Sequence, residues 1–110
     1  MALQAKRNSN AQSIYTDSEA AKIARSLTSP QIFTIYYLKG LSSRLAIPTL
    51  SSLKAELKSH GHDEKEYTQI VNFLESKSLI ERNGDIIILT GSFAAVNEKL
   101  KALSSHKREH

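Results

Sequence analysis

Apolar side chains recur at helical spacing along most of the chain, with short interruptions of strand or extended character. Residues 1–14 are rich in Asn, Gln and Ser, carry Lys6 and Arg7, and have no periodic apolar positions, so a mobile polar arm is expected there. Thr16-Asp17-Ser18-Glu19 has the spacing of a capping box, and Ala20, Ile23, Ala24 and Leu27 follow on one stripe, predicting an amphipathic helix. Ser29-Pro30 can open a second helix and Gly40 can stop it, giving a span from Pro30 to Lys39. Its run Ile32-Phe33-Thr34-Ile35-Tyr36-Tyr37-Leu38 is apolar nearly all round, the mark of a central, buried helix. Arg44 to Pro48 is too short for a helix and reads as an edge strand or an extended connector. Leu50, Leu53 and Leu57 then share a helical face, with Ser51 and Ser52 near its start and Gly61 just past its end. Asp63 can cap a helix from Glu64 to Lys77 whose inner face is Tyr67, Ile70, Val71 and Leu74. Two short runs, Leu79–Arg82 and Asp85–Leu89, flank Asn83-Gly84, the preferred type I′ turn, and predict a β-hairpin. Ser92 can cap a last helix carrying Phe93, Val96, Leu100 and Leu103 ahead of a polar tail over 104–110. The expectation is one mainly α domain over 15–103 with a small antiparallel β-hairpin.

Composition narrows the classes of function. With 110 residues, 40% of them hydrophobic, the chain can bury a core without disulfide or metal support. It has no cysteine, which excludes thiol catalysis, Cys-based zinc and a disulfide scaffold, and suggests a reducing, cytoplasmic setting. The first ten residues have no apolar signal core, and the longest aliphatic run, Ile86 to Leu89, is far short of the ~20 residues that span a bilayer, so no membrane role is expected. A net charge of +4 leans mildly toward anionic partners.

The order helix, short strand, helix, tight turn, helix, hairpin, helix over roughly residues 29–103 resembles the winged helix-turn-helix, with extra N- and C-terminal helices. Leu74-Glu75-Ser76-Lys77-Ser78-Leu79-Ile80-Glu81-Arg82 is similar to the passage from recognition helix into wing of MarR-like and related bacterial, archaeal and viral small regulators. Leu89-Thr90-Gly91 resembles the end of the strand that precedes their final helix. Ser78 stands where those families usually carry glycine, which predicts a shifted helix boundary. The resemblance implies double-stranded DNA as partner, with helix 64–77 in the major groove and the wing 82–85 on backbone or minor groove. A small transcriptional regulator, or a replication or partition accessory of a plasmid or virus, is the implied role.

Charge complicates that expectation. Between Asp63 and Asp85 stand six acidic and three basic side chains, net −3. Placing residues at 100° intervals, with Ile70, Val71 and Leu74 inward, sets Lys65, Gln69, Asn72 and Ser76 on the opposite face, Thr68 at its edge, and Glu64, Glu66 and Glu75 on the flanks. Gln and Asn can pair with adenine in bidentate fashion, and Lys with guanine or phosphate. Phosphate contacts would then fall to Arg44, Lys54, Lys58 and Arg82, to the arm, to Asn83 in the wing, and to Ser51 and Ser52 at a helix start. The acidic flanks keep open a different class of function, a protein-interaction module in a larger assembly that meets a basic partner.

Other chemistry finds less footing. His60-Gly61-His62-Asp63 offers too few donors for a closed metal site, and no metal or cofactor is expected. Phe33, Tyr36 and Tyr37 fit core packing better than a ligand pocket. No acid, base and nucleophile constellation stands out, so no enzyme is expected. The stripes of the first and last helices either seal the core or pack against a second copy, in which case a homodimer through the terminal helices would favour a palindromic site.

Overall fold

The structure, a computed structural model, describes residues 12–108, with side chains through 104. The chain runs α1 (Asp17–Ser26), α2 (Ser29–Ser43), α3 (Leu50–Ser59), α4 (Glu64–Ser76), β1 (Ile80–Asn83), β2 (Ile86–Leu89) and α5 (Gly91–Arg108). It is mainly helical, with one two-stranded antiparallel sheet. Two compact units divide it: residues 28–88, and residues 12–27 together with 89–108.

In the terminal unit α1 packs on α5. Thr16 caps α1 through the capping box with Glu19, and Ala20 and Ala24 are buried on its inner stripe. Phe93, Val96 and Leu100 are buried on α5. The cap of α5 differs from expectation. Thr90 Oγ1 accepts the Phe93 N–H (3.2 Å), while Ser92, buried, accepts the Ile14 N–H on its hydroxyl (2.9 Å) and ties the chain ahead of α1 to α5. Lys99 Nζ lies 3.7 Å from Asp17 Oδ1, setting a cation beside the first turn of α1. The backbone stays helical through Arg108, beyond the point where a polar tail was expected. Residues 1–11, most of the expected arm, lie outside the described residues.

In the central unit Ile35 and Leu38 of α2, Leu53 and Leu57 of α3, Ile70, Val71 and Leu74 of α4, and Leu79, Ile80 and Ile87 of the hairpin are all buried. Thr28, not Ser29, caps α2, with Gln31 completing its capping box. The helix runs through Gly40 to Ser43 and stops at Leu45, which takes the left-handed conformation (φ 59°). Leu45 N–H donates to Ser42 O and Ala46 N–H to Leu41 O, the two bonds of a Schellman motif. Tyr36 is an exposed residue of α2, not a core one; Phe33 and Tyr37 stack on each other at 6.5 Å. Ser78 solves the end of α4 in the same way as Leu45 ends α2. It too is left-handed (φ 60°), with Ser78 N–H donating to Glu75 O and Leu79 N–H to Leu74 O, and buried Leu74 and Leu79 form the apolar pair of the motif.

The hairpin turn falls one residue later than expected. Gly84 and Asp85 connect the strands, and only Gly84 has positive φ (62°), the type II′ pattern with glycine first. The expected edge strand over Arg44–Pro48 is reduced to one antiparallel bridge between Thr49 and Ile86, flanked by Ile87 N–H to Pro48 O (2.9 Å) and Leu50 N–H to Asp85 O (2.7 Å). Pro48 has no N–H to offer, so its carbonyl alone serves the edge.

Candidate nucleic-acid interface

The site is built on two capped helices and the hairpin of the central unit. Thr49 caps α3: its Oγ1 accepts the Ser52 N–H (3.1 Å) and donates to Ser52 Oγ (3.0 Å). Asp63 caps α4 by accepting the Glu66 N–H (2.9 Å), while the Glu66 carboxylate accepts the Asp63 N–H (3.2 Å). Gly61, at φ 88°, turns the chain between the two helices, a conformation that a residue with a Cβ adopts only at a cost.

With Ile70, Val71 and Leu74 spent on the core, Lys65, Thr68, Gln69, Asn72 and Ser76 are all exposed. The stripe along α4 is therefore polar and carries one charge, the Lys65 ammonium, which makes no ion pair among the described residues. Ser76 Oγ donates back to Phe73 O (2.8 Å).

The expected phosphate contacts are placed less simply. Arg82 donates to Glu75 Oε1 from both Nε (3.1 Å) and Nη2 (2.6 Å). This bond from the guanidinium holds the Glu75 carboxyl below its ordinary pKa and raises that of Arg82. Lys54 Nζ lies 3.4 Å from Glu64 Oε2 and 5.8 Å from the centre of the Tyr67 ring. Burial raises the Tyr67 phenol, against the lowering effect of Lys54 and Arg82 nearby. Ser51, expected to face a phosphate, gives both its N–H (3.2 Å) and its hydroxyl (3.0 Å) to Asp85 Oδ1. Ser52 is half-buried in the Thr49 cap. Arg44 is exposed and serves as the C-cap of α2, and Asn83 is exposed at the end of β1.

Between α3 and α4 a cleft of about 230 Å³ is lined by Lys54, Lys58, His62, Asp63, Glu64 and Tyr67. His62 Nδ1 is 3.3 Å from Glu66 Oε2, whereas His60 Nδ1 lies 3.0 Å from the Glu56 carbonyl, so the two imidazoles serve different partners. Among the described residues, no group of three or more His, Cys, Asp or Glu is placed to hold a metal ion. No helix among them is long and apolar enough to cross a membrane.

Comparison with protein-family models, curated proteins and solved structures finds no significant match. The geometry of the site therefore carries the functional argument. Tyr67 and Asp85 were missed as organisers of this surface. The first reads as core by periodicity, and the second joins Ser51 across 34 positions of sequence, a link no local pattern encodes. In the central unit four aliphatic side chains also stand exposed without a local signal: Leu45, Ile47, Ile86 and Ile88.

Proposed function

We propose that the central unit is a winged-helix module that binds double-stranded DNA, with α4 as the recognition helix and the Gly84–Asp85 turn as the tip of the wing. The observation that carries this reading is the α4 stripe of Lys65, Thr68, Gln69, Asn72 and Ser76, exposed along its length and free of acidic side chains. A helix fits the major groove of B-DNA, where Gln and Asn can read adenine and Lys can reach guanine or phosphate. The pinning of the hairpin to residues 48–50 supports the wing, because it fixes the turn beside the start of α3. Bases would be read by Gln69 and Asn72, and backbone would be met by Lys65, Thr68, Lys54, Arg44, Arg82 and Asn83. The role is that of a small transcriptional regulator acting in the cytoplasm, without catalysis or a cofactor.

Gln69→Ala and Asn72→Ala test the assignment in competition binding against duplexes varied one base pair at a time. Each is expected to lose about 1–3 kcal/mol of discrimination at one position. Lys65→Ala is expected to weaken all duplexes alike and to flatten the salt dependence by about one unit of slope. Unchanged binding in all three variants would refute the assignment. Sedimentation of the free protein tests a homodimer. The apolar stripes of α1 and α5, which suggested a second copy, are buried on Ala20, Ala24, Phe93, Val96 and Leu100 within one chain.

A second reading, a protein-interaction module without DNA, is favoured by the engagement of Arg82, Lys54 and Ser51 with carboxylates of the same chain. It predicts no binding to duplex at low salt.

A further inference from the structure

Glu64 and Glu75 are eleven residues apart on α4, which places them about 20° apart around the axis and about 16 Å apart along it. They therefore mark the two ends of one flank of the helix, with Thr68 between them, beside the exposed stripe. Each holds a cation brought from another element: Lys54 from α3 at 3.4 Å, and Arg82 from β1 through two hydrogen bonds to one oxygen. Lys58 and Lys65, by contrast, make no ion pair among the described residues.

We propose that Glu64 and Glu75 act as selectivity residues, pairing Lys54 and Arg82 so that a DNA phosphate can use either cation only by displacing a carboxylate. The proposal rests on the reading of this unit as a DNA-binding module. Sequence-independent binding comes from cations that neutralise phosphates and release counterions, with a salt slope of about −0.9 for each. A cation already neutralised by a carboxylate contributes little to that slope. Any duplex is then held weakly, and only one whose bases match the α4 stripe recovers enough from base contacts to stay seated. The Arg82 pair is the stronger of the two, since a guanidinium bound through two N–H groups is fixed in direction as well as in charge.

The test is fluorescence anisotropy of the full chain on a random-sequence duplex across a salt series, for wild type, Glu64→Gln, Glu75→Gln and the double variant. Glu98→Gln on α5 removes one negative charge from a helix of the other unit and serves as the control. Each glutamine on α4 is expected to steepen the salt slope by about 0.9 and to raise affinity at 100 mM salt on the order of eight-fold, with the double variant close to the product. Wild-type binding that is weak but measurable at 50 mM salt and becomes tight in the double variant supports the proposal as well. Wild-type binding that the α4 variants leave unchanged or weaken overturns it while leaving the DNA reading in place, and so does an equal gain in Glu98→Gln. No binding by any variant at 50 mM salt overturns both. Glutamine keeps the size and helix propensity of glutamate, and a thermal melt of each variant verifies the fold.

Discussion

Replacing Leu45 by glycine should stabilise the protein, although it removes a large aliphatic side chain. Leu45 is left-handed at φ 59° and 94% exposed, so the substitution gives up almost no packing. The left-handed conformation costs an L-residue roughly 1–2 kcal/mol, because Cβ crowds the following carbonyl. Glycine avoids that cost but loses about 0.5–1 kcal/mol more in backbone entropy on folding. The difference is a gain of about 0.5–1 kcal/mol, with both Schellman bonds from Leu45 and Ala46 retained because they are made by backbone. For a chain of this size that corresponds to a rise of roughly 2–4 °C in melting temperature. Leu45→Ala keeps the Cβ and should stay within about 0.3 kcal/mol of wild type, which isolates the conformational effect from the loss of an exposed aliphatic group. Urea and thermal denaturation of the three proteins decide it. A glycine variant less stable than wild type, or an alanine variant that gains as much as glycine, would refute the reasoning.

Two further perturbations follow from the same surface. Asp85→Ala removes the acceptor that holds the Ser51 N–H and hydroxyl, and should cost about 1 kcal/mol in urea denaturation, as loss of a helix cap does, while Asp85→Asn should recover most of it. The native Glu75 carboxyl lies below its ordinary 4.5 because of its bond from Arg82, so its contribution to stability is present above that value and disappears as pH falls through the lower native one. Stability measured from pH 6 down to pH 2 should therefore fall less steeply in Glu75→Gln than in wild type, and equal slopes would contradict the pairing.

Helix starts were legible wherever the signal is local. Thr16 with Glu19 and Asp63 with Glu66 form the capping boxes their spacing predicts, and the exposed stripe of α4 follows from the three inward residues Ile70, Val71 and Leu74. Errors arose where two neighbouring residues compete for one task. Thr28 and Thr90 take the caps expected of Ser29 and Ser92, since each sits three residues before an N–H it can reach. Gly40 does not stop α2, because the helix gains another turn and finds its left-handed residue at Leu45, where side-chain preference points away from it. The turn at Gly84-Asp85 shows the same ambiguity: one glycine satisfies either a type I′ turn with Asn83 before it or a type II′ turn with Asp85 after it. The charge pattern was legible as a net −3, but not as pairs. Glu75 meets Arg82 and Asp85 meets Ser51 only because the hairpin folds back on α3 and α4, a consequence of tertiary packing that composition does not contain.

The most direct test of the central claim is the anisotropy of the unaltered protein on a random duplex at 50 and 200 mM salt. Binding that weakens as salt rises is the predicted result, because any surface that meets phosphates releases counterions. No binding at 50 mM salt up to ~100 μM protein, far above the concentrations at which non-specific DNA binders saturate at low salt, would contradict the DNA reading and turn the assignment to the protein-interaction module.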